Sequence, residues 1–96
     1  MLQFKYNQAK SNKLLAERGV GFEEIIQAID NGNLLAITDH YNNKKYKNQK
    51  ILYVRILEQV YVVPFIQENK NTIFLKTLFA SRKARKLFIS GFGISD

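Results

Sequence analysis

The stretch KILYVRILEQVYVVPFIQENKNTIFLKTLF, residues 50–79, decides the fold. Val, Ile, Tyr and Phe fill three runs, Ile51 to Leu57, Val60 to Ile66 and Thr72 to Phe79, and such side chains suit a pleated, half-buried surface. Glu58-Gln59 and Glu68-Asn69-Lys70-Asn71 separate the runs, so the stretch reads as an antiparallel meander. Two details strain that reading. Glu58-Gln59 lacks the Gly or Asn that a tight hairpin favours. Pro64 cannot donate the amide that a central strand needs, which predicts a bulge or an edge position there.

Upstream the hydrophobic period changes. Phe22, Ile25, Ile26 and Ile29 fall at i, i+3, i+4 and i+7, an amphipathic helix that begins after Gly21, carries Glu23 and Glu24 in its first turn and ends near Gly32. Before it, Asn7 can cap a helix reaching about Arg18, with Gly19 as its left-handed stop. Residues 2–6 alternate as a short strand, 33–38 form another, and 39–49 make a polar loop dense in Asn, Lys and Tyr. Downstream, a short helix is expected over 81 to about 88, and residues 90–96 read as a flexible tail. The order β-α-α-β-β-β-β-α over a single domain, residues 1–96, defines an α+β fold. A short N-terminal strand and two helices pack on a twisted antiparallel sheet, and a short C-terminal helix follows.

Composition narrows the chemistry. The chain has no cysteine and one histidine, which argues against a metal site and leaves no cofactor expected. The N-terminus MLQFKYNQAK has no apolar signal core, and no run approaches the ~20 apolar residues that span a bilayer. A cytoplasmic protein without a membrane partner is expected. The net charge of +7 is concentrated, because Lys44, Lys45, Lys47 and Lys50 form one run and Lys76, Arg82, Lys83, Arg85 and Lys86 another, with no acid inside either. These nine of the fifteen cations either bind a polyanion or keep a small protein soluble.

The second run favours binding. Ser81 can cap a helix whose first two turns then carry four cations, although a helix start favours acids. Arg82, Arg85 and Lys86 stand at i, i+3 and i+4 and repel one another. A local rule broken in this way suggests that phosphate belongs there, and hence nucleic acid, with RNA preferred.

Three segments also resemble a known family. Phe4-Lys5-Tyr6-Asn7 with Lys10 and Asn12, then Glu17-Arg18-Gly19-Val20 with Phe22-Glu23-Glu24, and Ser81-Arg82-Lys83-Ala84 after a strand, are similar to the BrnT-type toxins of bacterial type II toxin-antitoxin systems. The likeness runs from residue 4 to about residue 87. It implies a RelE-like fold, metal-independent endoribonuclease activity and a partner antitoxin, as a hetero-oligomer or a homo-oligomer. Two departures stand out: Glu17-Arg18-Gly19 where the family often has Lys-His-Gly, and a lysine-rich loop over 39–49 where it is commonly more acidic.

Cleavage of RNA without a metal uses the 2′-hydroxyl against the adjacent phosphate and needs a proton acceptor, cations and a proton donor. Arg82 is the first choice for holding the phosphate, because a guanidinium grips two oxygens; the other reading is a surface cation that pairs with an acidic antitoxin. Lys83, Arg85 and Lys86, with Lys44, Lys45 and Lys47, are read as RNA-backbone contacts. Lys76 sits in an apolar strand and needs an anionic partner if half-buried. Histidine is the side chain type that ordinarily changes charge near neutrality, so His40 can serve as acid or base, or simply be exposed. Tyr46 can stack on a base, donate a proton or pack across the sheet. Glu17 can act as a base, though an ion pair with Lys13 is the plainer reading. Two functions stay open: an endoribonuclease toxin, or a non-catalytic nucleic-acid-binding module such as a co-repressor subunit.

Overall fold

Strand β1 (Gln3–Lys5) is followed by helices α1 (Gln8–Arg18) and α2 (Phe22–Asp30), then by strands β2 (Leu34–Asp39), β3 (Gln49–Ile56), β4 (Gln59–Asn69), β5 (Thr72–Leu75) and β6 (Phe79–Ala80), and last by helix α3 (Arg82–Phe88). The structure is a computed structural model that describes residues 2–40, 42 and 44–89. The expected tail at 90–96 lies outside the described residues.

The strands order as β1-β5-β4-β3-β2, with β6 also beside β4. The meander from β2 to β5 is antiparallel as expected, but β1 joins the far edge parallel to β5, with Phe4 opposite Ile73. The sheet is therefore mixed. Alternation marks a segment as a strand and is silent about its partner and direction.

Each helix starts and stops where the chain supplies its caps. Asn7 Oδ1 accepts the Lys10 amide at 2.9 Å, and Gly19 ends α1 at φ 79°. Between α1 and α2, the buried Ser11 Oγ accepts the Phe22 amide at 2.9 Å. Gly21 is required at this crossing, since a Cβ there would lie 2.8 Å from both the Ser11 carbonyl and its hydroxyl.

Period-two alternation splits the core between two faces of the sheet. Leu52, Val54, Tyr61, Val63, Phe65, Ile73 and Leu75 point toward α1 and α2, where Leu14, Phe22 and Ile25 meet them. Ile51, Val60 and Val62 point the other way, toward Ala84 of α3, and Tyr53 packs on Phe88 with ring centroids 5.2 Å apart.

Two details of the meander differ from expectation. The β3–β4 hairpin closes on Leu57-Glu58, one residue earlier than read, and Leu57 takes φ 55° with its side chain 84 % exposed. The turn is secured from outside, because Arg55 Nε donates to the Leu57 carbonyl and Arg85 Nε to the Glu58 carbonyl. Pro64 lies inside the central strand β4 rather than at an edge, and its pairing with Ile51 of β3 is unbroken. The irregularity falls on the neighbouring strand, which leaves the ladder over 76–78 and so divides the predicted strand 72–79 into β5 and β6.

Candidate nucleic-acid interface

The end of β2 and the folded loop after it place His40. Its amide donates to the Gln49 carbonyl at 3.2 Å, which extends the β2–β3 ladder past Asp39 and Lys50. The loop then turns on itself: the Tyr46 amide bonds the Asn42 carbonyl at 2.9 Å, and the Gln49 amide bonds the Tyr46 carbonyl at 3.1 Å. His40 is consequently buried, only 7 % exposed, and is not the exposed loop histidine that was one expectation. Its ring lies 4.5 Å from that of Tyr46. His40 Nδ1 accepts the Asn42 amide at 3.0 Å, so in the neutral ring the proton sits on Nε2.

His40, Tyr46 and Lys76 line one depression of about 310 Å³, together with Lys10, Gln49, Pro64, Thr77 and Phe79. That volume is near the lower end for a small-ligand site. No acid is among its described lining residues, and two lysines are. Lys76 is half-buried, with its Nζ 5.6 Å from the centre of the Phe74 ring, so part of its desolvation is offset by an aromatic face.

Arg82 stands elsewhere. It lines a separate, open hollow with Lys83, Arg85 and Lys86 on the outer side of α3. Arg82, Lys83 and Lys86 are exposed, whereas Arg85 is half-buried and committed to the Glu58 carbonyl. Arg85 therefore docks α3 on the hairpin. The Ser81 hydroxyl already takes the Ala84 amide at 3.1 Å, so the cations of this seven-residue helix act through their side chains. A groove lined by Tyr53, Phe79, Ser81, Lys83 and Leu87 lies between the two regions, and Phe79 belongs to both groove and depression.

Lys44, Lys45 and Lys47 are exposed on the folded loop, with Lys45 Nζ 5.4 Å from the centre of the Tyr46 ring. Lys50 is also exposed, but on the opposite side of the sheet, beside Leu52 and Phe65. Glu17 and Lys13 are exposed and unpaired; Lys5 and Glu68, 3.7 Å apart, form the ion pair seen among the described residues.

Sequence reading missed Lys10, Thr77 and Phe79. A signal for Lys10 was present, since α1 has no acid in its first turn and a cation instead. This is the same broken rule that singled out α3. No helix among the described residues is long and apolar enough to cross a membrane. Compared with protein families, curated proteins and solved structures, the chain matches none.

Proposed function

We propose that the protein is a metal-independent endoribonuclease, the toxin of a type II toxin-antitoxin pair of the BrnT type with a RelE-like fold. The observation that carries the reading is the convergence of Lys76 with His40 and Tyr46, from two separated parts of the chain, in one cationic depression. In this reading single-stranded RNA runs over the α3 cations, stacks a base on Phe79 or Tyr46, and sets one phosphate in the depression.

The 2′-oxygen bonds to phosphorus as the bond to the 5′-oxygen breaks. The 2′-hydroxyl proton passes to solvent, and Lys76, as its ammonium ion, protonates the leaving 5′-oxygen and regains its proton from water. His40 packs against Tyr46 and shapes the wall of the depression, while the Lys76 charge offsets the charge that builds on the phosphate. An acidic antitoxin segment is the matching regulator, because it would compete for the same cations.

The test is incubation of the chain with end-labelled RNA in EDTA. Products ending in a 2′,3′-cyclic phosphate and a 5′-hydroxyl are expected, and a single 2′-deoxy substitution at the cut nucleotide should block cleavage there. Products carrying 5′-phosphates would reject this chemistry. One observation favours a second reading, a non-catalytic binding module or co-repressor subunit: the His40 nitrogen that could act as a base is occupied by the Asn42 amide. Tight RNA binding with no cleavage under any of these conditions would select it.

A further inference from the structure

Lys76 and Thr77 are consecutive, yet both line the depression. A regular strand would send them to opposite faces of the sheet. The pairing explains the exception. Phe65 of β4 stands opposite Leu75, and Val62 stands opposite Phe79, so Val63 and Pro64 face three residues, Lys76, Thr77 and Leu78. One extra residue on one strand is a bulge, a feature that re-aims side chains. Leu75 and Leu78 on either side both remain in the core against α1 and α2, which leaves the two residues between them for the other side.

Pro64 sits at the point where the ladder opens. Its carbonyl accepts the Lys76 amide at 2.9 Å, and in an antiparallel pair of this kind the partner would return an amide to the Lys76 carbonyl. Proline has none to return. The far end of the bulge is held from α1 instead, by Arg18 Nη1 on the Leu78 carbonyl at 2.7 Å.

We infer that this bulge is a phosphate-presenting device: Thr77 and Lys76 on one side, and Lys10 of α1 on the other, bind a phosphodiester in the depression, with Pro64 as the positioning residue that keeps the strand from closing. The inference rests on the proposed nuclease reading only for the identity of the phosphate as RNA. Binding at the depression stands or falls separately.

The experiment is an NMR titration of the full chain, labelled with ¹⁵N, using inorganic phosphate and then an uncleavable 2′-O-methyl dinucleotide. Amide shifts at Lys76, Thr77, Leu78 and Asn42 are expected. Thr77→Val and Lys10→Gln should each weaken dinucleotide binding by about fivefold or more, as loss of a hydrogen bond to a charged group implies. Pro64→Ala should weaken it similarly while adding a slowly exchanging amide at residue 64 and leaving Tm unreduced. If Pro64→Ala does not fold, the other two variants decide. Shifts confined to α3, or unchanged affinity in both Thr77→Val and Lys10→Gln, would overturn the inference even if RNA is cut. Shifts at the bulge that both variants abolish would uphold it even if RNA is not cut.

Discussion

The depression beside His40 and the outer face of α3 both present cations, but they are built in opposite ways. The depression draws on α1, the end of β2, the 42–49 loop, β4 and the bulge, and its members are buried or half-buried apart from Lys10. The α3 face is one short helix with three exposed cations, held by the buried Ala84, the Ser81 cap and the Arg85 bond to the hairpin. Exposed cations on long side chains attract a polyanion over a Debye length and place it loosely. A half-buried lysine fixed by a bulge places an atom to within the tolerance that chemistry needs. Under the proposed nuclease reading, labour divides: α3 gathers RNA, and the depression acts on it.

Lys76→Gln is the strongest way to break this comparison. It keeps a polar side chain, one bond shorter, but removes the charge and the transferable proton, so cleavage at saturating RNA should fall by about 10²- to 10³-fold. Binding should change far less, because the α3 cations are untouched. A rise in KM of that size with kcat unchanged would make Lys76 another gathering cation and erase the distinction.

The α3 face should fail in the complementary manner. Replacing Arg82, Lys83 and Lys86 by Gln removes about three phosphate contacts, so the slope of log affinity against log salt should become shallower by about two units for a single strand. Turnover at saturation should stay within a fewfold of the parent. If Arg82→Gln alone abolishes turnover at saturating RNA, Arg82 reaches the reacting phosphate and the two regions are one site.

The two regions also differ in how far they could be read in advance. The α3 face was legible because its signals are local: Ser81 as a cap, four cations within two turns, and the start at Arg82. Helix ends at Asn7 and Gly19, and the strands of the meander, were legible for the same reason. Of the depression's members, His40 and Tyr46 are neighbours in one loop by sequence alone, yet nothing local says that Lys76 meets them. Their meeting depends on a one-residue difference between β4 and its neighbour, on a loop that folds back to bury His40, and on α1 lying close enough to contribute Lys10. Pro64 carried the one hint. Its missing amide was read as a defect of its own strand, whereas the opening appears in the partner, because an antiparallel residue turns its N–H and C=O toward the same neighbour.

The smallest effect concerns the α1/α2 side of the sheet, which both regions use as scaffold. Tyr6 stacks on Phe22 with ring centroids 5.4 Å apart, and its phenol is pushed above the ordinary value of 10.0. Burial is the leading cause, followed by the charge of Glu23, which also accepts a hydrogen bond from the phenol, and the charge of Glu24. The sign of the linkage follows from that direction. Folding favours the protonated phenol, so this contribution to stability is complete below the ordinary tyrosine value and is lost as pH rises through the folded one. In Tyr6→Phe, Tm should therefore decline less steeply on the alkaline side than in the parent. An ultraviolet titration of tyrosinate should lose a component that ionises above the ordinary tyrosine value. RNA binding near neutrality should be unchanged, since Tyr6 lines neither cationic region. Loss of an early component instead would place Tyr6 in water, away from Glu23. A drop in RNA affinity would mean that the scaffold side also touches the ligand, and the comparison would then need a third surface.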